Sequence, residues 1–493
     1  MRGCATAVVA LALPHFLTRT LDHDRFAAWS LMLQVAAYAS YLDFGLQTAV
    51  ARYVARYMER GEEEQSNWLA STALALLSLA ALVGLVVMAL VLWQTPHLFR
   101  GVPQPLLGEF RWAAAVLGCS TAILLPFSTF SGILVGLHRN EHVALAVGGS
   151  RLLGAAMVLE LVRHTHSLIA LAACIAAANL LGGILQVLIA KRLLPSLRIS
   201  RTNVRSEMVM ELAKYCGGLT MWSLSVFLVS GISVTLVGYF DFKAVGYYSV
   251  AMSLVVLYSG ASGTVSNALL APISALHASG ETSRIQNLTL EASRVNTLVN
   301  ILVALAMFLF GPALLRVWVG PVYASQALPI LEILIVANAI RMTCMPYAWM
   351  LIATGQQKYG IAQGVVEGLA NFGSSVVGGV WFGPIGIAWG AVIGAVCAVT
   401  WNCTLTMKWA RDPSFDRSQF FVNAIFRPFA CSLPLILGVA VTYHHAASNT
   451  TTNLLIACLL AMFVLTGQFG KVMPRASWTW LGLGSKGQES SLP

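Results

Sequence analysis

Residues 68–93 read WLASTALALLSLAALVGLVVMALVLW, 26 consecutive positions without a charge. A helix that crosses a bilayer needs about 20 such residues. Comparable windows recur along the chain at 3–18, 26–51, 112–137, 143–162, 167–190, 215–238, 245–275, 295–315, 327–353, 360–381, 385–407, 426–443 and 453–470, which makes fourteen. The reading is an all-α, polytopic membrane protein. The first window is the shortest and contains Pro14; a signal peptide, or a start placed too far downstream, are the other readings of it.

Composition agrees. Of 493 residues, 57% are apolar and 10% charged, where soluble domains carry about 25% charged residues; the mean hydropathy is +0.74. These values exclude a soluble enzyme, a disordered chain and a nucleic-acid binder. Nine cysteines show no CxxC spacing and most lie in apolar runs, so they read as small core side chains. His138 and His142 are four apart but lack the HExxH order, so no metal site is expected. Without a Walker A loop or a GxSxG elbow, neither an enzyme nor a cofactor is expected.

The net charge of +10 is informative once it is distributed over loops. With a cytoplasmic N-terminus, 21 Lys and Arg fall on the cytoplasmic side and 7 on the other, while Arg151 and Arg341 fall inside spans. Short loops biased this way orient the chain and put both termini in the cytoplasm. The longest connection, 191–214, is basic, and no loop is large enough to be a domain.

A shift of 219 residues superimposes Asp22 on Asp241, Ser30 on Ser249, Gly61-Glu62 on Gly280-Glu281, Gly136 on Gly355, Gly149 on Gly368 and Gly154 on Gly373. Each copy then holds six spans. An even number makes the copies enter the membrane in the same direction, as a parallel repeat about an axis along the membrane normal. The expected layout is an N-lobe over 1–190, the linker 191–214, a C-lobe over 215–408, and two further helices with a tail over 409–493.

The hairpin LTRTLDHDRFAAWSL (17–31), the stretch YLDFGLQTAVARYVARYMERGEE (41–63), IATGQQKYG (352–360) and FGPIGIAWGAVIG (382–394) resemble the polysaccharide biosynthesis, or O-antigen type, flippases. These belong to the multidrug/oligosaccharidyl-lipid/polysaccharide exporter superfamily. The short first helix departs from that family's longer one. The resemblance implies a carrier that turns an undecaprenyl-pyrophosphate-linked oligosaccharide from the cytoplasmic to the periplasmic leaflet of the bacterial inner membrane. It would serve O-antigen, exopolysaccharide or capsule synthesis beside a polymerase and chain-length machinery, as a monomer among membrane lipids. A multidrug/cation antiporter or a peptidoglycan-precursor flippase of the same superfamily is the alternative, and a membrane polymerase or ligase is the alternative from another class.

Charges at bilayer depth are costly unless they face protein or water, so they are functional candidates. Arg151 lies roughly 18 Å and Arg341 about 20 Å from the cytoplasmic ends of their spans at 1.5 Å per residue. With Arg52 at the cytoplasmic end of span two, they are the expected pyrophosphate ligands, because a guanidinium fork pairs phosphate oxygens two at a time. Asp43 and Glu367 are candidates for ion coupling or structural pairing. Trp222, Tyr347, Trp349, Asn338, Asn371 and Gln363 are candidates for sugar contact, with interface anchoring the alternative for the aromatics.

Overall fold

The computed structural model describes residues 2–410 and 414–445; the expected span at 453–470 lies outside them. The described elements are helical. They run α1 (Arg2–Thr20), α2 (His23–Ala37), α3 (Leu46–Glu59), α4 (Glu63–Leu98), α5 (Gln104–Leu124), α6 (Ser128–Gly136), α7 (Asn140–Leu161) and α8 (Leu168–Leu193). Then come α9 (Ser206–Val226), α10 (Ser233–Phe240), α11 (Val245–Asn267), α12 (Leu270–Ala278), α13 (Thr282–Val319), α14 (Pro321–Met342), α15 (Met345–Ala353) and α16 (Gln357–Trp401). The short α17 (Met407–Trp409) and α18 (Arg417–Phe420) precede α19 (Arg427–His445). Among the described residues nine helices are long and apolar enough to cross a membrane, ten if the bent pair α5–α6 is one crossing.

The other thirteen expected windows fall on these helices, and the breaks have local causes. Pro126 separates α5 from α6, which bend by 41°, because proline cannot donate to the preceding turn. In α16 the break is Gly383, whose φ of 59° and ψ of −138° suit glycine alone, followed by Pro384. The two arms fold back on each other so closely that a Cβ on Gly386 would collide with the Gly378 carbonyl. Small residues let helix backbones touch in this way where lipid supplies no hydrophobic drive.

The element order repeats, as a duplicated sequence requires, but the offset slides. The last residues of α3 and α12 are 219 apart, whereas the first residues of α6 and α15, and of α7 and α16, are 217 apart. The cause is one connection: residues 99–103 join α4 to α5, while Gly320 alone, at φ 90°, joins the longer α13 to α14. Gly61 (φ 70°) and Gly280 (φ 74°) are true counterparts, but Gly355 (φ 73°) matches His138 (φ 58°) and not Gly136. Glu367 therefore corresponds to Ser150, and Arg151 to Gly368.

The chain clusters into two compact units that are discontinuous in sequence. The first comprises the described residues up to Leu257 with Leu315–Leu334 and Gly364–Gly394; the second comprises Tyr258–Leu314, Ile335–Gln363 and the described residues from Ala395. In the first unit α7 packs on α1 and α8, α5 on α4, α8 and α2, and α3 on α4 and α6. Val50, Val54, Leu69, Leu77 and Ile133 form its core around α3. In the second, Tyr347, Met350, Met407 and Phe420 build a core of their own. A polar seam there joins Ser259 to Asn338 (2.8 Å), Ser262 to Asn300 (2.9 Å) and Asn296 to the Met342 carbonyl (2.6 Å). Such bonds hold helices together where hydrocarbon offers no alternative partner.

Candidate functional site

Span two does not run straight. After α2 the chain tightens into a 3₁₀ turn, Tyr38–Asp43, then passes through two left-handed residues, Phe44 (φ 49°) and Gly45 (φ 77°), before α3 begins. Glycine is required at 45 for space as well, since a Cβ would lie 2.5 Å from that of Leu219. Asp43 holds the restart: its carboxylate accepts from Ser128 Oγ (3.1 Å) and from the backbone N–H groups of Gly45 and Gln47. Those amides are among the orphan donors that every helix N-terminus exposes.

A second irregularity faces the first. Between α9 and α10 the backbone widens into a π-helical turn, Phe227–Gly231, which leaves carbonyls outside the ordinary ladder. Side chains collect them. Asn371 donates to the Leu228 (2.8 Å) and Val229 (3.0 Å) carbonyls, and Gln34 donates to that of Gly231 (2.5 Å). Tyr38 bonds Thr235, and the rings of Tyr38 and Tyr41 pack edge-on against Phe227.

Beside this turn is a cavity of about 420 Å³ between α1, α2, α10 and α11. Its polar lining is Ser30, Gln34, Tyr41, Ser230, Ser249 and Ser253, and none of its described lining residues is charged. The Ser249 hydroxyl is buried without a partner. Toward the ends of α1 and α2 the walls are tied together. Trp318 donates to the Leu11 carbonyl (2.8 Å), Arg19 to that of Val317 (3.0 Å), and the His23 ring meets the Lys243 carbonyl (2.7 Å) and Tyr323 Oη (3.1 Å).

The candidate arginines are dispersed. Arg52, exposed on α3, holds its guanidinium 5.0 Å from the centre of the Tyr215 ring on α9, a cation–π geometry. Arg151, exposed on α7, donates to Thr6 Oγ1 of α1 (2.6 Å). Arg341, half-buried near the end of α14, belongs to the second unit, and Glu367, buried on α16, to the first; each has interaction partners. Arg52 and Arg151 thus engage different helices, and Asp43 is held by α6 and its own backbone. Of the sugar candidates, Tyr347, Asn338 and Asn371 are buried, the last two in the bonds above, whereas Trp222 is 43% exposed. Sequence reasoning passed over Phe44, the π-helical turn and Ser249. The Phe-Gly pair at 44–45 was the available signal for the first. Among the described residues no group of His, Cys, Asp and Glu could hold a metal ion.

Comparisons with known proteins agree with this architecture. The chain is similar to "Lipid II flippase MurJ, inward closed conformation", with a TM-score of 0.71, 13% identity, and coverage of 95% of this chain and 98% of that one. It is also similar to an inward-facing multidrug resistance MATE family transporter of the MOP superfamily, with a TM-score of 0.64, 16% identity, and coverage of 81% and 96%. A curated relative, the "Uncharacterized membrane protein EpsK" of Bacillus subtilis (strain 168), is 24% identical over 428 residues, 85% of this chain and 83% of the relative. The sequence model for the family described as "Polysaccharide biosynthesis protein" matches residues 4–277. The chain is a membrane protein with the fold of these transporters, and it belongs to the polysaccharide biosynthesis protein family.

Proposed function

We propose that the protein carries an undecaprenyl-pyrophosphate-linked oligosaccharide from the cytoplasmic to the periplasmic leaflet of the bacterial inner membrane by alternating access. The observation that carries this reading is the polar part of the cavity's otherwise apolar lining: hydroxyls and one amide, with no carboxylate among them. Uncharged hydroxyls and an amide set among apolar residues suit a glycan, whereas a cation exporter needs buried acids to neutralise its cargo. The flippase named among the similar folds supports the same class of work. Arg151, Arg341 and Arg52 are assigned to the diphosphate at successive stages of passage, and the lobes 1–190 and 215–408 are the bodies that move. In this reading both termini lie in the cytoplasm, which the distribution of Lys and Arg supports. The protein acts as a monomer beside a polymerase and chain-length machinery.

The test is complementation of a strain lacking the gene. The intact gene restores surface polysaccharide, and Arg151→Ala, Arg341→Ala and Arg52→Ala each abolish it at unchanged protein level. Normal polysaccharide from any one of them removes that arginine from the pathway. A peptidoglycan precursor is the second reading, favoured by the similarity to a lipid II flippase. Rescue of a strain depleted of its own lipid II flippase would decide for it.

A further inference from the structure

The first unit carries an apolar slot outside the polar cavity. One hollow of about 500 Å³ lies between α3–α4 and α9, and a second of about 370 Å³ continues along α4 toward Phe227. Leu42, Phe44 and Thr220 line both, so the two form one slot. Along α4 its wall runs from Leu76 to Val91, about 22 Å at the rise of a helix.

Bilayer lipid covers any apolar relief, so the hollow alone says nothing. Two observations set it apart. The first is Phe44. A bulky aromatic side chain at φ 49° and ψ 21° is an outlier, and such strain persists where function holds it. Here it places a ring that is 37% exposed at the junction of the two hollows. The second is charge. Cys216 and Leu212 of α9 line the slot, and Tyr215, next to Cys216 in sequence, carries the Arg52 guanidinium on its face. A cation is thus held against the residue next to the lining of a hydrocarbon slot, an arrangement complementary to an isoprenoid chain that begins at a diphosphate.

We infer that this slot seats the first isoprene units of the cargo, with Phe44 gripping the chain and Arg52 holding the diphosphate. The inference rests on the flippase reading above and deepens it: the lipid part of the cargo travels in a track of its own and is not left to the bulk bilayer.

The test uses the full chain in vesicles of phosphatidylethanolamine and phosphatidylglycerol, with radiolabelled undecaprenyl diphosphate as probe. A photo-reactive benzoylphenylalanine replaces Val83, which lines the slot, or Leu82, its neighbour on α4, which is 61% exposed and outside it. Val83 should label strongly and lose the label to excess unlabelled undecaprenyl diphosphate but not to added phospholipid; Leu82 should give background. Arg52→Ala should lower labelling at Val83 about tenfold, the worth of one charge-assisted contact. The competition arm stands by itself should that variant fold poorly. Equal, uncompeted labelling at both positions means bulk lipid only and overturns the slot. If that result accompanies full complementation by the intact gene, the slot falls and the flippase reading stands. If loss of the gene leaves polysaccharide normal, the flippase reading falls, and labelling at Val83 still decides the slot.

Discussion

Gly132→Ala should destabilise the protein, although alanine is the better helix former. Gly132 faces α3 from α6, and a Cβ there would lie 2.7 Å from the Gln47 carbonyl oxygen and 2.9 Å from Val50 Cβ and Cγ1. Ordinary contact begins at 3.4 Å, so α6 must retreat from α3 by roughly 0.5–0.7 Å, and one obstacle is backbone that cannot rotate away. Overpacking of this kind costs about 1–3 kcal/mol, against a gain of about 0.5–1 kcal/mol from replacing a helical glycine. The net expectation is a loss of about 1–2 kcal/mol. One turn on, Gly136 meets the Ala51 carbonyl at 2.7 Å and Val54 Cβ at 2.9 Å. The double variant should lose less than the sum of the two singles, because the first alanine has already moved the helix. The control is Gly149→Ala on α7, where a Cβ meets nothing within 4 Å; it should be neutral or stabilising. Thermal unfolding in one detergent reads all four variants. If Gly132→Ala melts at or above Gly149→Ala, the close seam that positions α3, and with it Arg52, does not exist.

Gly61→Ala and Gly280→Ala should each cost about 1 kcal/mol, since both turns hold positive φ in open space; matched losses in thermal unfolding check the duplication. Asn371→Leu removes both bonds to the π-helical turn and should cost about 2 kcal/mol in the same assay, whereas an unchanged midpoint would show that the turn holds itself. Cysteines at Glu62 and Glu281 should react with impermeant reagent from one and the same face of the membrane, the cytoplasmic one. Labelling from opposite faces would contradict a parallel repeat.

Helices of this chain are legible because bilayer depth demands long apolar runs, and breaks announce themselves through Pro126 and the Gly383-Pro384 pair. The duplication was legible at Gly61 and Gly280, where only glycine suits the backbone. It misled at Gly136 because a gapless shift cannot register one connection of five residues and another of one. The candidate site was harder to read. Residue type and depth pick out Arg151 and Arg341, but which neighbour each meets depends on helix rotation, and apolar runs that face lipid on one side and protein on the other encode rotation weakly. Phe44 was overlooked for a related reason: what sets it apart is a backbone angle, at which only the glycine beside it at 45 hints.

Trp318, Arg19, Gln34 and Asn371 all end on main-chain oxygens of the facing segment. A joint of that kind asks for one particular amino acid on the giving side and none on the receiving side, where every peptide unit serves. Substitutions can therefore accumulate freely along half of each interface without loosening it. That economy of specification fits a chain whose architecture matches another at 13% identity over nearly its full length.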